Sequence, residues 1–326
     1  MAMAQRPLGK TGLTVPHLTL GGGFVGGVMI DPPEDVRRAA LHRCLEAGID
    51  WVDTAESYGK GQSETNIGRL LQELPARERP RISTKYGMQP DDLNDPVSAV
   101  RRAIEASLRR LDLQKVEVFQ LHNRIGRGGA GWLTPYDVLR PGGVADAFLA
   151  VKQAGLADHI GLTALGDPIA VRDVIASGRF ETAQVYLNAL NQSAARNAPA
   201  GHDTTDFHGI MGACRAHGLG VFAIRILAAG VLATSIRHGR EIPVTQNADA
   251  DAEAQRAAAL WQAIDRQDEP TAATAIRFAL TEPDVSTAVF GAATLEHLDI
   301  ALAAGAAGSL DRNLVAKVRS HFNPSS

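Results

Sequence analysis

Cysteine is nearly missing from this chain. There are two, Cys44 and Cys214, far apart and without a CxxC spacing. A disulfide framework or a thiol-built zinc site needs more. Cys44 falls on the apolar side of a helical pattern, which suits a buried thiol. Charge of one sign is not in excess either: 33 Lys and Arg stand against 36 Asp and Glu, a formal balance of −3. No Lys/Arg cluster is interleaved with aromatics, so no basic face is offered to nucleic acid. No apolar run approaches the ~18 residues of a membrane span. The N-terminus has neither an apolar signal core nor an Arg- and Ser-rich transit pattern, from which a cytoplasmic location is expected. Paired carboxylates, a nucleophile elbow and a metal-ligand cluster are also lacking, so a barrel hydrolase has no support and no metal site is expected.

What the chain has is length and periodicity. Its 326 residues are 45% apolar, enough for a sizeable core. We read residues 1–326 as one domain. Eight short apolar runs read as strands: His17–Leu20, Ile49–Val52, Arg81–Thr84, Val116–Leu121, Ile160–Thr163, Ala183–Leu187, Val221–Leu227 and Thr287–Phe290. Helical stripes lie between them. Val36, Ala40, Leu41, Cys44 and Leu45 form one; Ile67, Leu70, Leu71 and Leu74 another; Val97, Val100, Ile104, Leu108 and Leu111 a third. Strict alternation implies a parallel sheet, and eight units imply an α/β fold closed as a (β/α)₈ TIM barrel. The runner-up is an open doubly wound sheet. It would carry GxGxxG after its first strand, and Gly21-Gly-Gly-Phe-Val-Gly-Gly27 fits that spacing poorly. The turn Gly9–Gly12 between two short runs reads as an N-terminal β-hairpin. Three long connections, 123–143, 191–206 and 228–250, each follow a strand. They therefore share the C-terminal face, where barrels place their sites.

On that rim three consecutive strand ends carry ionisable residues. They are Asp53, then Lys85, then His122, and Tyr58 follows Asp53 in a Gly-rich turn. A free tyrosine titrates near pH 10, too high for an acid/base at neutral pH. A lysine ammonium beside it favours the phenolate. A carboxylate holds that lysine charged and in place, and a histidine orients a carbonyl oxygen by hydrogen bonding. The set suits proton transfer to a carbonyl oxygen as hydride reaches its carbon.

These residues resemble the aldo-keto reductase family. The likeness runs from Arg6-Pro-Leu-Gly-Lys-Thr-Gly-Leu13 to the last strand. Its most specific parts are Gly48-Ile-Asp-Trp-Val-Asp-Thr-Ala-Glu-Ser-Tyr-Gly59 with Ser63-Glu64, then Ser83-Thr-Lys85 and Gln120-Leu-His122. The resemblance implies a barrel that binds an extended nicotinamide dinucleotide, NAD or NADP, across its C-terminal rim and reduces aldehydes and ketones, or oxidises sugars or alcohols. The family's catalytic tetrad falls on Asp53, Tyr58, Lys85 and His122. Its cofactor positions fall on Gly22, Gly23, Thr163, Gln184, Ile224, Arg225, Leu227, Gly230, Gly291, Ala293 and His297. Several depart from the family pattern. Ala164 replaces an asparagine, Ile224 a stacking aromatic and Arg225 a serine. Gly291, Ala292 and Ala293 stand where many members carry a cation for the 2′-phosphate of NADP, and His297 and Ala301 replace a Gln and an Asn. A phosphate without a cationic partner is poorly held, which favours NAD. Should NADP be preferred, Arg225, Arg237 and Arg240 are the cations to examine. The substrate candidates are Asn123, Trp132 and His202, with Arg124 and Tyr136 beside them. That mixture of aromatic and polar groups suits a sugar or small polar carbonyl compound. The alternative to an enzyme is a regulatory barrel that binds a dinucleotide and turns over little. Nothing here bears on oligomeric state.

Overall fold

The computed structural model describes residues 3–236, 239, 249–264 and 268–322. Strands β1 (Gln5–Pro7) and β2 (Thr14–Pro16) pair antiparallel as a hairpin. Eight more follow: β3 (Leu18–Gly21), β4 (Trp51–Asp53), β5 (Arg81–Tyr86), β6 (Val116–Leu121), β7 (Ala157–Thr163), β8 (Thr182–Tyr186), β9 (Gly220–Ile224) and β10 (Thr287–Phe290). Every neighbouring pair among them is parallel, and β10 closes on β3 to complete a barrel. Helices cover its outside, so both strand faces are buried. That is why Val116, Val118, Phe119 and Leu121 are all apolar and fully enclosed.

The helix Gln62–Gln72 turns Ile67, Leu70 and Leu71 onto the barrel, and the helix Pro96–Leu111 turns Val100, Ile104, Leu108 and Leu111 inward. Val97 departs from its stripe. It lies in the first turn, where Pro96 takes the buried place, and it is 42% exposed. The hairpin closes the barrel's N-terminal mouth. Leu8 and Val15 pack on Trp51, Val118 and Phe222 in a separate apolar cluster, and the Lys10 N–H donates to the Gly218 carbonyl at 2.7 Å. Both cysteines are buried, and burial pushes each thiol up to about 12.

Several boundaries differ from the sequence reading. Asp53 is the last residue of β4 rather than the residue after it. Strand β9 ends at Ile224, because Arg225 adopts a left-handed φ of 60° that stops extended pairing. The 123–143 connection contains a helix, Pro135–Leu139. Thr134 and Asp137 cap it reciprocally, and its first residue is proline. The 228–250 connection begins with a 3₁₀ turn, Ala228–Gly230, and Ala250 already opens the helix Ala250–Ile264. Arg237, His238 and Arg240 lie outside the described residues. Among the described residues no helix is long and apolar enough to cross a membrane.

Candidate active site

Strand register explains why the polar residues meet. Asp53 stands across from Ser83, Lys85 from Gln120, Gly161 from Thr182 and Thr163 from Gln184. Residues two apart share a strand face, so Ser83 and Lys85 point the same way, and so do Gln120 and His122. This face is the barrel interior. Gly161 leaves room for Thr182 to pack there, since a Cβ in its place would meet the Thr182 hydroxyl at 2.2 Å.

Lys85 is fully buried and sits at the centre. Its ammonium donates to Asp53 Oδ2 at 2.6 Å, to the Thr54 carbonyl at 2.7 Å and to the Tyr58 hydroxyl at 3.4 Å. Burial opposes its charge, but the Asp53 carboxylate and the Tyr58 oxygen outweigh burial and raise its pKa above 10.5. Asp53 is held in turn. Its Oδ1 accepts from the Ser83 hydroxyl at 2.8 Å, from Gln184 Nε2 at 2.7 Å and from Gln120 Nε2 at 3.4 Å. The sequence reading gave no role to Ser83 and Gln120, although both stand in the motifs around Lys85 and His122. The His122 ring meets the Tyr58 ring edge-on, with centroids 5.8 Å apart. Burial and the Lys85 charge hold its pKa down at about 3, so at neutral pH it is an uncharged donor or acceptor.

These groups open into a cavity of about 600 Å³ at the C-terminal end of the strands. Asp53, Tyr58 and His122 line it, with Gly23, Thr163, Gln184, Ile224, Arg225, Leu227, Gly230, Gly291, Ala293 and His297. Gly22 is set apart from the lining. Its N–H donates to the Asp53 carbonyl at 2.8 Å, and its own carbonyl accepts from Ser63 at 2.9 Å, so it ties the first loop to β4. Phe24, Leu165, Ile226 and Glu296 also line the cavity, and the sequence reading did not select them. Of these, Phe24, in the Gly-rich loop, and Glu296, beside His297, stood in segments that carried a signal.

The substrate candidates are scattered. Asn123 spends its side chain on backbone. It accepts from the Met88 N–H at 2.8 Å and donates to the Met88 carbonyl at 2.8 Å and the Gly131 carbonyl at 2.9 Å. Trp132 lies beside His122 in an adjoining hollow. His202 packs edge-on against Phe322, with ring centroids 5.4 Å apart, away from the cavity lining. Tyr136 is 73% exposed.

A nicotinamide dinucleotide suits these surroundings. The Thr163 hydroxyl is buried and has no partner among the described residues, an acceptor and donor that a carboxamide satisfies. Gln184 uses its amide nitrogen on Asp53, which leaves its oxygen to offer. Gly26 approaches the Gly291 loop so closely that a Cβ would lie 2.6 Å from the Ala292 nitrogen, so backbone alone forms that wall.

Because His122 titrates near 3 when folded and near 6.5 when unfolded, the unfolded chain binds the proton first. Stability should therefore be full above pH 6.5 and fall as the pH drops toward 3. The urea midpoint measured against pH checks this, and His122→Asn should flatten the decline.

A model of the Aldo/keto reductase family matches residues 17–323. An aldo-keto reductase from Bacillus halodurans, solved in its holo form, superposes over 99% of this chain and 97% of its own, with a TM-score of 0.75 and 21% identity. The chain is 30% identical over 161 residues to L-galactose dehydrogenase of Arabidopsis thaliana, covering 49% of this chain and 48% of that one. It is 30% identical over 137 residues to NADH-specific methylglyoxal reductase of Escherichia coli, covering 37% and 42% respectively. Over 124 residues it is 32% identical to a probable voltage-gated potassium channel subunit beta of Oryza sativa, 37% of each chain. The alignments thus span less than half the length of these curated relatives.

Proposed function

The chain belongs to the aldo-keto reductase family, and from that premise we propose that it interconverts an aldehyde or ketone and an alcohol with a nicotinamide dinucleotide. The observation that carries this reading is that Tyr58, Asp53 and an uncharged His122 line one cavity, with the buried Lys85 ammonium directly behind Tyr58 and Asp53. A bound reduced nicotinamide supplies the hydride. Tyr58 gives its phenolic proton to the carbonyl oxygen in reduction and takes it back in oxidation. Lys85, charged and pinned by Asp53 and Thr54, favours the phenolate left behind. His122 donates to the carbonyl oxygen and orients it. Absorbance at 340 nm with purified protein, both cofactors and a panel of aldehydes and sugars tests the reading. Lack of turnover across the panel would overturn it in favour of a dinucleotide-binding regulatory barrel.

For the cofactor we propose NAD at least as readily as NADP. Gly291, Ala293, His297 and Ala301 line the end of the cavity that the family uses for adenosine, and the Glu296 carboxylate lies among them. A carboxylate repels a 2′-phosphate, and Arg225 is the one Arg or Lys among the described lining residues. One relative, by its own name, is NADH-specific. The expected result is a kcat/KM for NADH equal to or above that for NADPH with the same aldehyde. The lost charged contact corresponds to about tenfold to a hundredfold. A strong NADPH preference would refute this.

A further inference from the structure

Ser63-Glu64 belongs to the stretch that carries the family likeness, yet neither residue lines the cavity. Both are 0% exposed, in the first turn of the helix Gln62–Gln72, directly after the turn that holds Tyr58. The Ser63 N–H donates to the Tyr58 carbonyl at 3.2 Å. The Ser63 hydroxyl donates to the Gly22 carbonyl at 2.9 Å, so in its 2.8 Å contact with the Thr54 hydroxyl it is the acceptor. Each partner reaches the tetrad in one further step. The Thr54 carbonyl accepts from the Lys85 ammonium at 2.7 Å. The Gly22 N–H donates to the Asp53 carbonyl at 2.8 Å, and Gly23 beside it packs against the Tyr58 ring, which a Cβ there would meet at 3.4 Å. One buried serine therefore joins the segment after β3, the segment after β4 and the Tyr58 turn.

The turn depends on such ties. Lys60 has a left-handed φ of 55°, which an L side chain disfavours, so the chain between Tyr58 and the helix does not hold this shape by local preference. Glu64 secures the helix end. It accepts from the Thr84 hydroxyl at 2.5 Å and from Arg110 Nε at 2.6 Å, and Thr84 precedes Lys85 on β5. The tetrad is sensitive to where the turn lies. Of the three contacts the Lys85 ammonium makes, the one to the Tyr58 hydroxyl is the longest, 3.4 Å against 2.6 and 2.7 Å. It stands at the long end of hydrogen-bond reach, so a small outward shift of the turn ends it.

We propose that Ser63 is a positioning residue. Its hydroxyl sets how closely the Tyr58 phenol stands to the Lys85 ammonium, and through that the rate of proton transfer to the carbonyl oxygen. This rests on the reading of the tetrad as a carbonyl-reducing site. Ser63→Ala removes one oxygen and keeps the N–H that donates to Tyr58. With an aldehyde that the wild type reduces, it should lower kcat by about tenfold, the worth of one hydrogen bond. KM and the dinucleotide Kd should stay near wild type. The solvent deuterium isotope effect on kcat should rise, because proton transfer becomes slow relative to the other steps. A serine needed only for folding would lower the yield of active protein and leave that isotope effect and kcat per bound dinucleotide unchanged; that outcome overturns the proposal. A cycle with Tyr58→Phe checks the route. In that background Ser63→Ala should cost nothing further, and an undiminished loss refutes action through the phenol. If Ser63→Ala does not fold, Thr54→Val, which removes the hydroxyl that donates to Ser63, should show the same pattern to a smaller degree, and wild-type kcat in that variant overturns the proposal. If the wild type reduces no aldehyde, the reading of the tetrad fails, and crystal structures of the wild type and Ser63→Ala decide the role of Ser63 by themselves. The separation of Tyr58 and Lys85 should lengthen in the variant, and an unchanged separation refutes the assignment.

Discussion

Replacing Tyr58 by phenylalanine should lower kcat by about 10²–10⁴-fold while cofactor binding is retained. The substitution removes one oxygen. That oxygen accepts from the Lys85 ammonium at 3.4 Å and lines the cavity beside His122. The ring itself stays, so its edge contact with His122 and its place against Gly23 are preserved. Without the phenol, no described group beside His122 combines an acidic hydrogen with an adjacent cation. His122 is uncharged, and the Lys85 ammonium is enclosed and directed at Asp53 and Thr54. Fluorescence titration with the dinucleotide should give a Kd close to wild type. The rate must be compared where chemistry limits it, as shown by an isotope effect with deuterated cofactor. A mutant that kept near wild-type kcat under that condition would remove Tyr58 from the acid/base role.

Replacing Lys85 by methionine should cost stability as well as activity. The Lys85 side chain is 0% exposed and Asp53 is 4% exposed, so the substitution leaves a carboxylate buried without its countercharge. Breaking a buried pair from one side costs about 3–5 kcal/mol, more than the pair itself contributes. Ser83, Gln184 and Gln120 still donate to Asp53, which places the expected loss at the lower end of that range, about 3 kcal/mol. The partner substitution should then be corrective. Asp53→Asn combined with Lys85→Met removes both charges, and its urea midpoint should lie above that of Lys85→Met alone. Such non-additivity is what contact between the two residues requires. Activity should stay low in both variants, because neither holds a cation beside Tyr58. A Lys85→Met protein as stable as an ordinary surface variant, within about 0.5 kcal/mol of wild type, would contradict the burial argument.

The barrel was legible because short strands buried on both faces are rich in apolar and β-branched residues, while the helices that cover them are apolar on one side only. That pattern is local and repeats eight times. The strand-end residues Asp53, Lys85 and His122 were legible for the same reason: where an apolar run stops at an ionisable residue, a parallel barrel sets that residue on its C-terminal rim. Side-chain roles that depend on distant partners were not legible. Nothing near Asn123 in the chain announces that its amide would hold Met88 and Gly131, nor near His202 that it would face Phe322. Arg225 ends β9 early through a left-handed backbone, a conformation its residue type does not signal. Gln184 reads as a cofactor contact, yet its nitrogen also serves Asp53, which lies 131 residues earlier. Sequence alone determined the alternation of elements and the residue types at the strand ends, because both follow from burial along a single strand or helix. Only the tertiary structure decided which polar atoms satisfy one another, because inside a closed barrel each buried donor takes the acceptor that register and packing bring within about 3 Å, however far away in the chain.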